Sequence, residues 1–194
     1  MEYKPRMSTY YMVLCALFAA LSAVVSPISV PIPFSPVAIN MVHVSIFCAV
    51  GLLGAKYGTL SQIVFVLIGV AGLPVFTGFR GGPGVLVDFT GGFIIGNVLC
   101  ALAAGLIIDK FGRSVKVLVI AMCTGYIFTY LLGVSWYMHW VNNLSGAMPE
   151  DPMTFTRALP IVMLPFLPGE VFKVVISVIL IRKLYPVMQR RVHQ

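Results

Sequence analysis

Charge is scarce in this chain: only 10% of its 194 residues are Asp, Glu, Lys or Arg, while 59% are apolar. The surface of a soluble domain requires about a quarter charged residues. That scarcity, with a mean hydropathy of +0.99, excludes a water-soluble globule and implies an integral membrane protein. Nucleotide-binding machinery is missing too. No G-x-x-x-x-G-K-[ST] loop occurs, and 194 residues hold several helices of about 20 residues but no second domain of ordinary size. Any uphill transport must draw on an ion gradient or on another polypeptide. The cysteines Cys15, Cys48, Cys100 and Cys123 lie in apolar segments at no metal-site spacing, which predicts small core residues and no disulfide framework. His43 has no Cys, Asp or second His near it at ligand spacing, H-E-x-x-H does not occur, and Ser26 and Ser35 have no companion His. No catalytic residue, metal or cofactor is expected.

What is present is a set of apolar runs, drawn at Thr9 to Ser26, Ala38 to Ala55, Thr59 to Thr77, Phe89 to Ile108, Val117 to Ser135 and Pro160 to Tyr185. The expectation is an all-α, six-transmembrane-helix bundle forming a single membrane domain over residues 1–194. The formal charge of +7 belongs to membrane topology rather than to nucleic acid, because the basic residues flank apolar runs. Lys4, Arg6, Lys56, Lys110, Arg113, Lys116, Arg182, Lys183, Arg190 and Arg191 fall on one side, against Arg80 and Arg157 on the other. The positive-inside rule then puts both termini in the cytoplasm. Outside lie three segments with unusual backbone: PISVPIPFSP (Pro27 to Pro36), GFRGGPG (Gly78 to Gly84) and Leu159 to Pro168. Irregular backbone this apolar cannot face lipid with bare amides, so it is expected to line or cover a pocket on the outer side.

The candidate site residues follow from polar groups placed in apolar surroundings. Glu170 and Lys173 open an apolar run at i,i+3 spacing, and a charge at the bilayer centre costs about 2.5 to 3.5 kcal/mol, which makes such residues functional candidates. The pair reads either as a polar clamp for a ligand or as a mutual ion pair that fixes the helix start. Arg80, Asp88 and Thr90 sit in a glycine-rich stretch, where Asp88 or Thr90 could cap a helix and Arg80 could hydrate at the membrane surface. Asn40 reads as a helix cap or a ligand contact. His139 and Trp140 are expected on an outer loop as interface anchors. Small residues repeat at four-residue spacing in Ala16 with Ala20, Ala19 with Ala23, Gly54 with Gly58 and Gly92 with Gly96. Such stripes suit close helix packing, within the bundle or, for the alanines, against a partner helix.

The succession PIPFSPV (Pro31 to Val37), YGTLSQ (Tyr57 to Gln62), GVAGLPVFTGFRGGPG (Gly69 to Gly84), TGGF with Gly96, and LPFLPGEVFK (Leu164 to Lys173) resembles the BioY family. These are the biotin-specific membrane subunits of energy-coupling factor (ECF) transporters. The resemblance implies six transmembrane helices, capture of biotin from outside a bacterial cell membrane, and association with a transmembrane coupling protein and two cytoplasmic ATPase subunits. It also implies that Ala16, Ala19, Ala20 and Ala23 form the coupling-protein interface, and that Glu170 and Lys173 match the acid and lysine of the family's P-G-D-x-x-K motif, associated with the ligand's ring system. Phe34, Phe76, Phe79 and Phe93 are then apolar walls, and Arg80 is a partner for the ligand carboxylate. This chain departs from the family pattern in Glu170 for Asp, in DFTGGF for G-P-T-G-G-Y, and in AINMVH after PIPFSPV. Other readings are a subunit for another vitamin-like ligand, a solitary transporter, and a membrane enzyme using Glu170 or Asp88 as acid or base.

Overall fold

The computed structural model describes residues 9–32, 35–146 and 152–192. The chain runs through helix α1 (Thr9–Val25), strands β1 (Ser29–Ile32) and β2 (Ser35–Asn40), helices α2 (Val42–Val70), α3 (Gly84–Val87), α4 (Gly91–Phe111), α5 (Val115–Asn143) and α6 (Phe155–Val162), a 3₁₀ turn (Leu164–Phe166) and helix α7 (Leu167–Val192). Among the described residues, four helical stretches are long and apolar enough to cross a membrane: Val42–Val70, Gly91–Phe111, Val115–Asn143 and Phe155–Arg190. Thr9–Val25 is a shorter apolar helix.

Helix α2 is not one rod. At Gly54 the backbone takes φ 79° and ψ −178°, a conformation without penalty only for glycine. Along a straight helix Ser45 and Gln62 would stand about 25 Å apart. Instead both reach Ser22: the Ser22 and Ser45 hydroxyls are 2.8 Å apart, and Gln62 Nε2 donates to Ser22 Oγ at 3.1 Å. The chain therefore doubles back at Gly54, and its two limbs pack on each other. A Cβ on Gly58 would lie 2.7 Å from Val50 Cα. The turn is fastened from α4, where Asp109 Oδ2 accepts from Ala55 N at 2.8 Å. From the next loop, Arg113 Nε donates to Gly51 O at 2.7 Å, and its guanidinium stacks on Tyr185 of α7 at 4.2 Å. Gly54 thus makes the turn of a hairpin, and Gly58 lets its two limbs approach closely. Gly92 and Gly96 form a helix-packing stripe: added Cβ atoms there would meet Trp136 and Thr129 of α5.

Strands β1 and β2 correct the all-α expectation. They pair antiparallel with Ser29 opposite Asn40, Val30 opposite Ile39 and Ile32 opposite Ser35. The prolines of this segment lack N–H donors, but the residues between them still need partners, and a strand pair supplies them where lipid would not. Because β2 runs to Asn40, α2 starts at Val42, later than the expected Ala38. Helix α5 continues to Asn143, so His139 and Trp140 belong to its last turns rather than to a loop. Of the four cysteines, Cys15, Cys48 and Cys100 are buried, whereas Cys123 is exposed on α5. All four are free. The main core joins α1, α2, α4, α5 and α7 through fully buried side chains such as Phe47, Ile46, Ile108, Leu118, Met122 and Ile181.

Candidate ligand-binding site

Helix α7 begins at Leu167, and Pro168, whose fixed φ suits a first turn, is followed by Glu170 and Lys173 one turn apart. Both face inward, at 6% and 2% exposure. Lys173 Nζ donates to Glu170 Oε1 at 3.0 Å, and the Tyr130 hydroxyl of α5 donates to the same oxygen at 3.3 Å. The carboxylate also stands in the first turn of its helix, where the helix dipole favours negative charge. Its other oxygen, Oε2, has no hydrogen-bond partner within the protein. A buried charged pair is retained only where excellent geometry or a further role offsets the desolvation of both ions. This carboxylate keeps one acceptor that the protein itself leaves open.

The pair forms one wall of a cavity whose empty space, counted together with its open mouth, is about 740 Å³. The cavity draws residues from both sides of the bundle: Asn40 from β2, His43 and Phe65 from the two limbs of α2, Asn97 from α4, Tyr130 from α5 and Phe166 from the 3₁₀ turn. Its walls are mainly apolar with a few polar groups, the composition by which a small organic ligand is held and oriented. The proline- and glycine-containing segments contribute as well. Val37, Thr77, Arg80 and Val162, within or beside them, all line the space.

At the mouth lies a second ion pair, Arg80 with Asp88. Arg80 Nη2 also donates to Thr90 Oγ1 at 3.0 Å, its Nε donates to Thr77 O at 3.3 Å, and its guanidinium packs 5.4 Å from the Phe89 ring. Asp88 does not cap α4. It holds Arg80 and, through Oδ1, accepts from Phe89 N at 2.7 Å, while Thr90 occupies the N-cap position without a side-chain cap bond. Asn40 does both things read from its position: Oδ1 accepts from Val42 N at 3.2 Å at the start of α2, and Nδ2 donates to Thr77 Oγ1 at 2.8 Å on the cavity wall.

Of the residues singled out from the sequence, Glu170, Lys173, Arg80, Thr90, Asn40, Phe76 and Phe93 are brought together around this space. Asp88 stands behind Arg80 and outside the lining. Phe79 is 67% exposed, sits at φ 58° between the bridged Phe76 and Arg80, and is not part of the lining. Phe34 lies outside the described residues. The alanine stripe splits in two: Ala16 and Ala20 are exposed, Ala19 is buried and Ala23 packs against the core. The lining also holds residues that spacing does not single out, among them Asn97 of α4 and Thr129 and Tyr130 of α5. A lone Asn inside an apolar run, as in Gly96-Asn97-Val98, is the signal that points to the first of them.

The BioY family model matches residues 1–190 of the chain. The biotin transporter BioY of Rhodobacter capsulatus is 33% identical over 168 residues, covering 84% of this chain and 87% of that protein. The biotin transporter BioY of Thermotoga maritima is 32% identical over 168 residues, covering 87% and 91% of the respective chains. The probable biotin transporter BioY of Pyrococcus horikoshii is 33% identical over 171 residues, covering 88% and 93%. Among solved structures, the S-component for biotin from an ECF-type ABC transporter superposes with a TM-score of 0.80 over 94% of both chains, at 26% identity.

Proposed function

The chain belongs to the BioY family, and we propose that it is the biotin-binding membrane subunit of an ECF-type vitamin uptake transporter. The observation that carries this is the buried Glu170–Lys173 pair with an open carboxylate oxygen on the wall of a cavity. Biotin's ureido group offers two N–H donors and one carbonyl. Glu170 Oε2 accepts one N–H, and the ammonium of Lys173 donates to the carbonyl, each bond strengthened by the exclusion of water. Phe76 and Phe93 supply apolar surface for the bicyclic body. Arg80, at the mouth, takes the carboxylate of the acyl tail, with Thr90 and Asn40 setting the rim and Asp88 holding the guanidinium in place.

The protein is a six-span bundle with both termini in the cytoplasm of a bacterial cell. The reversal at Gly54 supports six segments, since it splits α2 into two limbs. The arrangement of charge supports the orientation. Lys56, Lys110, Arg113 and Lys116 cluster around that turn and the α4–α5 loop, while the cavity opens among elements at the opposite end. Biotin enters from outside, and its delivery depends on a transmembrane coupling protein and two cytoplasmic ATPase subunits. The exposed Ala16 and Ala20 face of α1, with Val13, Leu17 and Val24 beside it, is the surface offered to the coupling protein. Ala19 and Ala23 serve internal packing.

The test is retention of labelled biotin by membranes holding this chain without ATP or partners. Glu170→Ala and Lys173→Ala are expected to abolish retention at unchanged protein level. Normal retention by both variants would reject the site, and failure of the native chain to retain biotin would reject the ligand.

A further inference from the structure

Beyond the open carboxylate oxygen of Glu170, the cavity wall contains another buried polar group without a hydrogen-bond partner within the protein. His43, in the first turn of α2, is 9% exposed and lines the cavity, yet neither Nδ1 nor Nε2 has a hydrogen-bond partner within the protein. Its ring packs against aromatic neighbours, 4.8 Å from the Tyr126 ring and 6.0 Å from that of Phe47, with Asn97, Glu170 and Lys173 near enough to act on it. Packing of this kind is served as well by a phenylalanine, which would leave no polar atom to desolvate. An imidazole kept where both nitrogens go unbonded is therefore aimed at something the empty protein lacks.

We propose that His43 is a ligand-binding residue, which takes an N–H of the ligand's cyclic urea on its bare ring nitrogen, opposite the N–H taken by Glu170. The inference rests on the biotin reading given above and deepens it. A neutral imidazole has one donor and one acceptor. Glu170 Oε2 offers one open acceptor, so a ligand with two ureido N–H groups and a carbonyl leaves one donor unmatched by the α7 pair. His43 supplies the missing acceptor from the facing helix. Asn97 stands beside it on the wall, with its Oδ1 held by the Thr129 hydroxyl at 3.4 Å. Recognition from two sides selects a cyclic urea over a lactam of the same shape, which lacks the second N–H. A site built to bond a polar group discriminates strongly against an analogue without it, because its own buried group is then left unpaired.

Two substitutions and one spectrum test this. His43→Phe keeps the aromatic packing and is expected to raise the melting temperature of the ligand-free protein while weakening biotin binding by about tenfold or more. His43→Gln keeps a donor and an acceptor and is expected to retain binding within a few-fold. In the native protein labelled with ¹⁵N-histidine, addition of biotin should shift the ring signals of one of the three histidines, the one missing from the spectrum of His43→Phe. Biotin binding by His43→Phe within twofold of native, or ring signals that do not move on saturation, would overturn the assignment while leaving the biotin reading intact. A native protein that fails to bind biotin would overturn both.

Discussion

The two ion pairs of the cavity use the same chemistry in different solvents. Glu170 and Lys173 have side chains 8% and 3% exposed, whereas Asp88 and Arg80 are 27% and 34% exposed. At the mouth, water and salt screen the charges, and such a pair contributes about 0 to 1 kcal/mol. Inside, each charge has given up its hydration, and removing one partner strands the other at a cost of about 3 to 5 kcal/mol. Inside, Glu170 Oε2 still lacks a partner within the protein, while the outer pair is already satisfied by Thr77, Thr90 and Phe89 around it. Under the proposed function the inner pair selects the ligand and the outer pair orients it.

This contrast is broken most easily from inside. Lys173→Ala or Glu170→Ala should weaken biotin binding by about a hundredfold or more, roughly 2.7 kcal/mol, read by calorimetry on the purified protein. The double variant should be little worse than either single one, because the two act as a unit. If the two single losses simply add, the residues contact the ligand independently and the clamp is wrong. Glu170→Asp should cost about tenfold, since the shorter side chain must abandon either Lys173 or the ligand for lack of reach.

At the mouth the effects should be smaller and selective. Arg80→Gln should weaken biotin by about fivefold to tenfold, yet leave a biotin amide with no terminal carboxylate within twofold, and the loss should shrink at 1 M salt. Equal losses for both ligands would remove Arg80 from the tail. Asp88→Asn frees the guanidinium from its counter-charge, so affinity for the carboxylate form should rise or hold within about threefold, in the sense opposite to Arg80→Gln. Phe79→Ala should change nothing beyond about twofold in the same titration, as expected for an exposed apolar residue outside the site.

How far all this can be read from the bare chain depends on the distance over which residues cooperate. Glu170 and Lys173 are legible because helical geometry joins i and i+3 without knowledge of the fold. The family motifs point to the ligand class. Phe79 was misplaced because its neighbour Phe76 shares every local property with it, and only the Phe76–Arg80 turn decides which ring is inside. The β1–β2 pairing was hidden by prolines, which argue against strands in the middle of a sheet but not in a two-stranded ribbon with outer edges. Spacing argues against a metal role for His43, but its place on the cavity wall exists only in the folded bundle. Tyr130 and Asn97 likewise join the site through packing of α4 on α5 alone.

The knot of Ser22, Ser45 and Gln62 has a mechanical consequence. Hydroxyls and an amide that are sealed from water cannot let go of one another without stranding a dipole in oil, so they weld the first helix to both arms of the hairpin. Ser26, four positions further along, is itself part of the chamber's lining. A tug on the exposed flank of that helix is thus handed, with little slack, to the wall of that chamber.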